Sequence, residues 1–373
     1  MSRYRFELAT SGDDAALRRF LRHNVMPGSL ELCFWREPDY FAPGGSFGPF
    51  RQTVVCRDGE ADDVVGMGCR SVRTVHVDGS PTPIGYLSLL RSAEHVRNGL
   101  LLARGYRFLR QLHEDGRSPC YLTTIAEGND IALGVLTSGR ASLPRYRSAT
   151  RYRTFAIATN RRPTRDRITP GSAAVGHPAD LATAVAFLAS HGKSRQFFPS
   201  YELSDFEGTD APLTGLGRRD LFVNTDSVGR LRGVMGLWDQ RSFRQTIVSG
   251  YTGSLARLRP LYNLTSAVHR RPHLPPPGHA LDYAYVATTA VENDDPGVFD
   301  ALLDTVIADA RSRGLPIVLF GCDDRDPLRP LVERRSFLTY TTRVYVVSWD
   351  DDTQPGEPAH DRSLPIYLEL GCL

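Results

Sequence analysis

One block of the sequence, residues 84–132, constrains the fold more than any other. Its apolar run 84–91 predicts a buried strand, and residues 120–126 predict a second one. Between them a polar turn ends in a glycine, and the apolar residues that follow recur at helical spacing until residues 115–116 stop the pattern. A strand, a helix and a strand in this order predict an α/β (α+β) fold, in which helices flank a β-sheet.

The turn between the first strand and the helix has the chemistry of an anion site. The first amide groups of a helix have no partner within the helix and carry partial positive charge, so they can hold a pyrophosphate. Arg97 adds a permanent positive charge, and Gly99 lets the backbone bend sharply. We expect a pyrophosphate cradle formed by Arg97, Asn98, Gly99 and Leu100. An ordinary solvated turn is the alternative.

At these residues the chain resembles the GNAT superfamily of acyl-CoA N-acyltransferases. Leu90-Arg91 matches the family's Leu-Arg pair at the end of the fourth strand, and Asn129 begins the Asn-x-x-Ala motif that follows the fifth strand. The chain departs from the family pattern in the turn, where Gly99 comes one residue early and a second glycine is missing. It also departs at Leu136, where many members carry a tyrosine. The resemblance covers residues 3–158.

The resemblance implies a cofactor and a reaction. It implies that acetyl-CoA or another acyl-CoA binds at Leu89, Leu90, Arg91, the 97–100 turn and Asn129. The backbone at Leu89 and Leu90 would direct an amide at the thioester carbonyl, where one such donor contributes about 2.7–4 kcal/mol. Asn129 would contact the cofactor or, as the alternative, cap a helix. The acyl group would then pass directly to an amine, with no covalent enzyme intermediate.

Candidates for proton transfer follow the second strand of the block. An acceptor amine must lose a proton, so a carboxylate or imidazole within its reach is expected. Glu127 is the leading candidate for this catalytic base, and a plain surface acid is the alternative. Tyr146 is the candidate acid that replaces the tyrosine missing at Leu136, and a packed loop aromatic is its alternative.

The segment 28–41 is expected to line the acceptor pocket, because in this fold it lies between the first and second strands. Its aromatic residues are interleaved with charged ones, which suits a polar substrate with an apolar part. An amphipathic helix packed on the sheet would explain the same pattern. The candidate substrate-binding residues are Glu31, Phe34, Trp35, Glu37 and Tyr40. The expected acceptor is a small-molecule or peptide amine.

The length of 373 residues fits two domains. Residues 1–158 predict an N-terminal GNAT-type domain, and residues 159–179 lose apolar periodicity and predict a linker. Residues 180–373 repeat the order of strand, helix and strand, which predicts a second, degenerate GNAT-type domain. Each domain would be a twisted mixed β-sheet flanked by helices. Because three acids within residues 292–296 replace the phosphate turn of this copy, we expect one acyl-CoA site, in the N-terminal half.

Composition excludes several other classes of protein. No apolar run approaches the roughly 20 residues that span a bilayer, and the N-terminus lacks a signal-type apolar core, so we expect a cytoplasmic protein without a membrane partner. The six cysteines lack metal-ligand spacing, which predicts no metal site. A net charge of +3 is too small to indicate a nucleic-acid partner. Two functions remain: an N-acyltransferase, and a non-catalytic GNAT-scaffold binding or regulatory protein.

Overall fold

The structure is a computed structural model that describes residues 3–96, 99–138, 143–160, 175–176, 180–266, 268, 271–349 and 363–373. Within these residues the chain forms one large mixed β-sheet with helices on its faces, which confirms the predicted fold class. No helix in these ranges is both long and apolar enough to cross a bilayer.

The strands are β1 Tyr4–Leu8, β2 Leu30–Trp35, β3 Phe50–Asp58, β4 Asp63–Val77, β5 Ser80–Ser92, β6 Tyr121–Ala126, β7 Arg145–Ala158, β8 Val175–Gly176, β9 Phe198–Pro199, β10 Leu221–Thr225, β11 Leu231–Trp238, β12 Gln245–Tyr251, β13 Ala284–Val291, β14 Ile317–Asp323 and β15 Leu338–Ser348. Strands β5 and β6 are those predicted from residues 84–91 and 120–126.

The helices are α1 Asp14–His23, α2 Gly99–His113, α3 Asp130–Leu136, α4 Leu181–His191, α5 Leu203–Phe206, α6 Gly253–Ser266, α7 Pro296–Ser312 and α8 Arg329–Glu333. Helix α2 is the one predicted after the polar turn. Helix α7 begins at Pro296 because the Asp295 carboxylate accepts the amides of Gly297 (2.8 Å) and Val298 (3.1 Å), which an N-cap requires.

Both halves of the chain contribute to the same sheet. The order of the described strands is β1-β3-β4-β5-β6-β15-β7-β14-β13-β11-β10-β8, with β9 on β4. The pairs β5/β6 and β13/β14 are parallel and the other pairs are antiparallel, so the sheet is mixed.

The two halves exchange their last strands at the centre of this sheet. Strand β15, from the C-terminal half, lies between β6 and β7 of the N-terminal half, and β7 in turn lies between β15 and β14. The β7/β15 ladder runs from Ala156 opposite Leu338 to Arg145 opposite Ser348. The two predicted domains therefore share one sheet, and their boundaries at residues 1–158 and 180–373 stay a prediction.

A separate ribbon joins the halves a second time. Strand β2 pairs with β12, with Trp35 opposite Gln245 and Leu30 opposite Tyr251. The amphipathic helix considered for residues 28–41 is therefore wrong. Residues 30–35 of this segment form strand β2, whose backbone pairs with β12. The ribbon places the residue after β2, Arg36, beside the residue before β12, Arg244.

The two faces of the sheet are covered by different elements. On one face Leu87 of β5 packs in a cluster with Leu102 and Leu109 of α2. On the other face Tyr86 stacks on Phe47, with ring centroids 5.1 Å apart, in a cluster that includes residues of the segment 366–373. This second face is the one that carries the pocket described next.

Candidate functional site

Strands β5 and β6 form a fork. They pair only at Gly85 opposite Tyr121 and at Tyr86 opposite Leu122, although β5 continues to Ser92 and β6 to Ala126. Just past the branch point, the Thr123 hydroxyl donates to the Leu87 carbonyl at 2.8 Å. Beyond it the two backbones no longer pair, and a gap opens between their carboxyl ends.

A backbone distortion lies on the β5 side of this fork. Leu89 has φ of +53°, a value that a non-glycine residue rarely adopts. The register of β4 against β5 shifts at the same place, between Met67 and Cys69, which makes this a β-bulge. Bulges re-aim backbone groups, and strained backbone is concentrated at functional sites.

A pocket opens beside the bulge. The residues that line it are Arg36, Tyr40, Gly45, Ser46, Phe47, Arg51, Cys69, Ser71, Ser88, Leu89, Arg244, Cys372 and Leu373. They come from β3, β4, β5, the loop after β2, the residue before β12 and the last residues of the sequence. No Asp, Glu or His side chain is among these lining residues.

The charge of the pocket comes from three arginines, Arg36, Arg51 and Arg244. Burial, and then the like charges of Arg244 and Arg51, lower the pKa of Arg36 to about 9. Arg51 donates to the Phe41 carbonyl at 2.9 Å. Arg244 donates to the Gly45 carbonyl and to the Leu373 main-chain oxygen, both at 3.0 Å. The pocket is therefore strongly electropositive.

Of the five predicted substrate-binding residues, Tyr40 is the one that lines the pocket. Its hydroxyl shares a hydrogen bond of 2.9 Å with Thr53, and burial raises its pKa. The other four are not among the lining residues. Glu37 accepts from Arg18 at 2.6 Å and from Arg22 at 2.8 Å.

The three predicted residues on β2 make contacts of their own. Trp35 lies under the Arg22 guanidinium (5.4 Å to the ring centroid), and Phe34 lies under Arg91 (5.3 Å). Glu31 is opposite Gly250 of β12. A substrate role for these side chains stays a prediction.

The structure separates the two predicted catalytic residues from the pocket lining. Both oxygens of Glu127 accept from Arg151, at 2.7 and 2.8 Å, and one also accepts from Arg343 at 3.2 Å. The Arg151 hydrogen bond is the main reason that the pKa of Glu127 is lowered. Tyr146 hydrogen-bonds to the Tyr106 hydroxyl, in the cluster on the α2 face. Burial raises the pKa of Tyr146 well above its usual range, so its phenol stays protonated.

Only some of the predicted cofactor-binding residues are among the residues that the structure describes. Arg97 and Asn98 lie outside the described residues, as do the side chains of Gly99 and Leu100. Of the remainder, Leu90 is exposed and the Arg91 guanidinium lies 3.2 Å from the Asn24 side-chain oxygen.

Asn129 caps a helix in this structure. Its side-chain oxygen accepts the Ala132 amide at 3.2 Å, which makes it the N-cap of α3. This is the helix-cap alternative considered for Asn129. Contact with a cofactor stays a prediction for this residue.

The C-terminal half contains a second fork with the same geometry. Strands β13 and β14 pair in parallel only at Ala284 opposite Val318 and Tyr285 opposite Leu319. Thr288, four residues after Ala284, has φ of +47°. Leu89 stands at the same distance from Gly85 in the first fork, so the bulge is repeated in both halves.

The second fork is filled by the chain itself. The Thr288 amide donates to a carboxylate oxygen of Glu369 at 2.8 Å, and the hydroxyls of Tyr201 (2.8 Å) and Tyr367 (2.9 Å) donate to the same oxygen. Glu369 is buried, and burial raises its pKa. A carboxylate oxygen thus stands where this bulge directs its amide.

The turn that follows the second fork is occupied by ion pairs. Arg195 donates to Asp294 at 2.7 Å, and Arg232 donates to Asp295 at 3.3 Å. Arg232 also pairs with Glu292. The acids that replace the phosphate turn are thus engaged with the protein's own arginines.

Sequence reasoning missed the pocket arginines. Arg36, Arg51 and Arg244 belong to different elements, and no motif joins them. The one signal available was that Arg36 lies within the aromatic and charged segment 28–41. Nothing in the sequence pattern joins Arg244 to that segment, because the β2/β12 pairing connects positions about two hundred residues apart.

A scan of this sequence against protein-family models finds no match, and a search of curated proteins finds no relative. Solved structures do resemble it. N-myristoyltransferase of Saccharomyces cerevisiae with bound myristoyl-CoA has a TM-score of 0.59 at 11% identity, covering 98% of this chain and 83% of that one. A GCN5-related N-acetyltransferase from Sphaerobacter thermophilus has a TM-score of 0.54 at 11% identity, covering 96% and 98%.

At this low identity the structural matches show a shared fold alone, and they cover nearly the whole chain in both comparisons. This chain therefore shares the fold of these two solved structures.

Proposed function

We propose that this chain is an acyl-CoA-dependent N-acyltransferase with a single site at the β5/β6 fork. The observation that carries the proposal is the repeated bulge. At Thr288 the bulge directs its amide at a carboxylate oxygen, whereas the equivalent residue, Leu89, lines a pocket with no acidic side chain. The first fork thus offers a donor at a place where none of the described lining residues brings a carboxylate side chain.

A thioester carbonyl oxygen fits this position. In the second fork the Glu369 oxygen accepts the amide of the bulge residue, which supports an equivalent position for a thioester oxygen in the first fork. An amide held in advance toward a developing negative charge contributes about 2.7–4 kcal/mol to catalysis. Leu89 would supply that amide. The β5/β6 gap would admit the acyl-CoA, and the α2 turn with Arg97 would hold its pyrophosphate.

The proposed reaction is direct transfer. The amine nitrogen forms a bond to the carbonyl carbon while the carbon–sulfur bond breaks. The nitrogen loses one proton, and the departing sulfur takes one up. Tyr146 stays the candidate acid. Glu127 is the base predicted from the sequence, but it lies outside the pocket lining, and its contacts with Arg151 and Arg343 favour a structural role. Tyr146 is in the protonated form that an acid requires, whereas Glu127 is held as a carboxylate by two arginines.

The comparisons support an acyl donor without fixing its length. The N-myristoyltransferase was solved with myristoyl-CoA, and the Sphaerobacter thermophilus protein is an acetyltransferase by name. The proposed cofactor is therefore acetyl-CoA or another acyl-CoA, and the acceptor is a small-molecule or peptide amine.

Two observations favour a second function. No Asp, Glu or His lines the described pocket, and Leu136, where many family members have the acid, is buried in an apolar cluster. A GNAT-scaffold protein that binds acyl-CoA without turnover would have these features.

Mass spectrometry of the purified chain under native conditions tests coenzyme A binding, and thiol release in the presence of amines tests turnover. We expect one coenzyme A per chain, together with thiol release that depends on an amine. Binding without release from any amine would favour the second function. The absence of binding would exclude both.

A further inference from the structure

The pocket beside the first fork has an unusual balance of charge. Three guanidinium groups line it, and no carboxylate side chain does. Partly buried arginines in proteins are usually paired with acids, because an unpaired charge is costly to desolvate. The pocket therefore has the electrostatics of an anion site.

Arg36 is the clearest case. No hydrogen bond or ion pair joins its side chain to any other described residue. An acid is available next to it in the sequence, yet Glu37 points to α1, where Arg18 and Arg22 hold it. Repulsion from Arg244 and Arg51 adds to burial in lowering the pKa of Arg36 to about 9. A bound anion would relieve this repulsion.

The neighbouring arginines are held in place mainly by main-chain oxygens. Arg51 donates to the Phe41 carbonyl, and Arg244 donates to the main-chain oxygens of Gly45, Gly371 and Leu373 and to the Gln240 side-chain oxygen (3.1 Å). The Phe41 contact orients the Arg51 guanidinium without cancelling its charge. Arg244 is the most heavily anchored of the three, so Arg36 and Arg51 are the groups available to a ligand.

The pocket lies on the opposite side of the sheet from helix α2. Leu87 faces α2, whereas Tyr86 and the pocket lie on the other face. Adjacent strand residues point to opposite faces, so Ser88 shares the face of Tyr86 and lines the pocket. The arginines are thus on the acceptor side of the thioester.

We infer that the acceptor amine carries an anionic group, a carboxylate or a phosphate, which Arg36 and Arg51 bind while the amine reaches the thioester at Leu89. The inference depends on the proposed function. Guanidinium forks match both anions through paired charge-assisted hydrogen bonds, which hold the acceptor in one orientation. The product is the N-acyl form of that anionic amine, with free coenzyme A as the other product.

Matched acceptor pairs test this inference. The pairs are glycine and glycinamide, phenylalanine and phenylalaninamide, and O-phosphoethanolamine and ethanolamine, each with acetyl-CoA and with myristoyl-CoA. We expect the anionic member to have a kcat/KM at least about tenfold higher, mainly through KM, because a hydrogen bond to a charged group is worth that factor or more. The first two pairs report on carboxylates and the third on phosphates.

Variants locate the effect. Arg36→Gln and Arg51→Gln should each raise KM for the preferred anionic acceptor by about 10- to 100-fold, and by less for its neutral partner, so that the preference for the anionic member falls. Turnover of the neutral member shows that each variant is folded. Arg36→Lys should recover part of the loss, since it restores charge without the fork. Arg257→Gln, an exposed arginine on α6, is the matched control and should change neither KM.

Equal use of both members of every pair, or variants that lower both equally, would overturn the inference and leave the proposed transferase intact. Failure of every amine to release thiol from a chain that binds coenzyme A would overturn the proposed function and this inference with it.

Discussion

At the scale of single residues, two backbone positions carry the most information. Leu89 and Thr288 occupy the same place in two copies of one fork, and both have positive φ. Their surroundings differ: Thr288 donates to the buried Glu369, and Leu89 lines an electropositive pocket. The comparison thus distinguishes two forks of the same geometry. In the second fork the Glu369 carboxyl occupies the position in front of the Thr288 amide, whereas in the first fork Leu89 faces a pocket.

The Glu369 carboxyl should make stability depend on pH. Its pKa is raised above the reference value of 4.5, chiefly by burial, so the folded state binds the proton more tightly than the unfolded state. The free energy of unfolding should therefore fall as pH rises from about 4.5 through the higher folded pKa. Glu369→Gln keeps an oxygen for the Thr288 amide and removes the titration. Urea unfolding at about pH 5 and about pH 8 should show a smaller decline for this variant than for the wild type.

The stability of Glu369→Ala should be compared with that of Glu369→Gln, because the alanine variant removes the oxygen as well as the titration. It leaves the Thr288 amide and two tyrosine hydroxyls without their acceptor, and each such loss costs about 1–3 kcal/mol. An identical pH dependence in wild type and Glu369→Gln would contradict the assignment of the decline to this carboxyl.

Glu127→Gln separates a catalytic from a structural carboxylate. A general base lost by this change lowers kcat by about 10²- to 10⁴-fold and removes the acidic limb of the pH–rate profile. A carboxylate that only holds Arg151 and Arg343 leaves kcat nearly unchanged. Because those arginines lower its pKa and the pocket lining does not include it, we expect the second result. A fall in kcat with coenzyme A affinity unchanged would instead establish Glu127 as the base.

At the scale of secondary-structure elements, the turns after the two forks have opposite charge. The turn before α2 carries Arg97, and the turn before α7 carries Asp294 and Asp295, which are paired with Arg195 and Arg232. Like charge repels a pyrophosphate, and the helix dipole alone does not offset it. The two halves thus repeat the same order of strand, turn and helix, but the charge of the turn is reversed.

Arg97→Glu should weaken coenzyme A binding by one to two orders of magnitude, about 1.4–2.8 kcal/mol, because the change replaces an attractive charge by a repulsive one. Titration calorimetry measures both the affinity and the number of sites, for which we expect one per chain. Arg257→Glu introduces the same charge change on α6 and should leave the affinity unaltered. Two sites, or equal affinity in Arg97→Glu and wild type, would refute the assignment.

At the scale of the whole molecule, the exchanged strands make the two halves interdependent. Strand β15 hydrogen-bonds to β6 on one side and β7 on the other, so the sheet of the N-terminal half is completed by a strand from the C-terminal half. Removing that strand would expose two unpaired strand edges at the centre of the sheet.

The full chain should therefore unfold in one cooperative transition. Calorimetry should give a van't Hoff enthalpy equal to the calorimetric one, as two-state unfolding requires. A fragment of residues 1–158 lacks β15 and should not fold alone. Two resolved transitions, or a fragment with native-like stability, would show that the halves are independent domains.

Local patterns in the sequence were sufficient to predict several elements. Apolar runs predict β5 and β6, and apolar residues at helical spacing predict α2. The spacing of apolar residues is informative because it reflects which side of an element is buried. The same holds for β13, α7 and β14, and Asp295 with Pro296 marks the start of α7. The acidic turn before α7 was equally visible, because charge is a property of the residues themselves.

The tertiary structure alone decided how the halves combine and what the site contains. Strand exchange, the pairing of β2 with β12 and the contact of Glu369 with Thr288 join residues far apart in the chain. Backbone hydrogen bonds carry no residue identity, so no local pattern specifies which strand lies beside which. The sequence by itself therefore determined the elements and their charges. Folding determined that Arg36, Arg51 and Arg244 meet in one pocket.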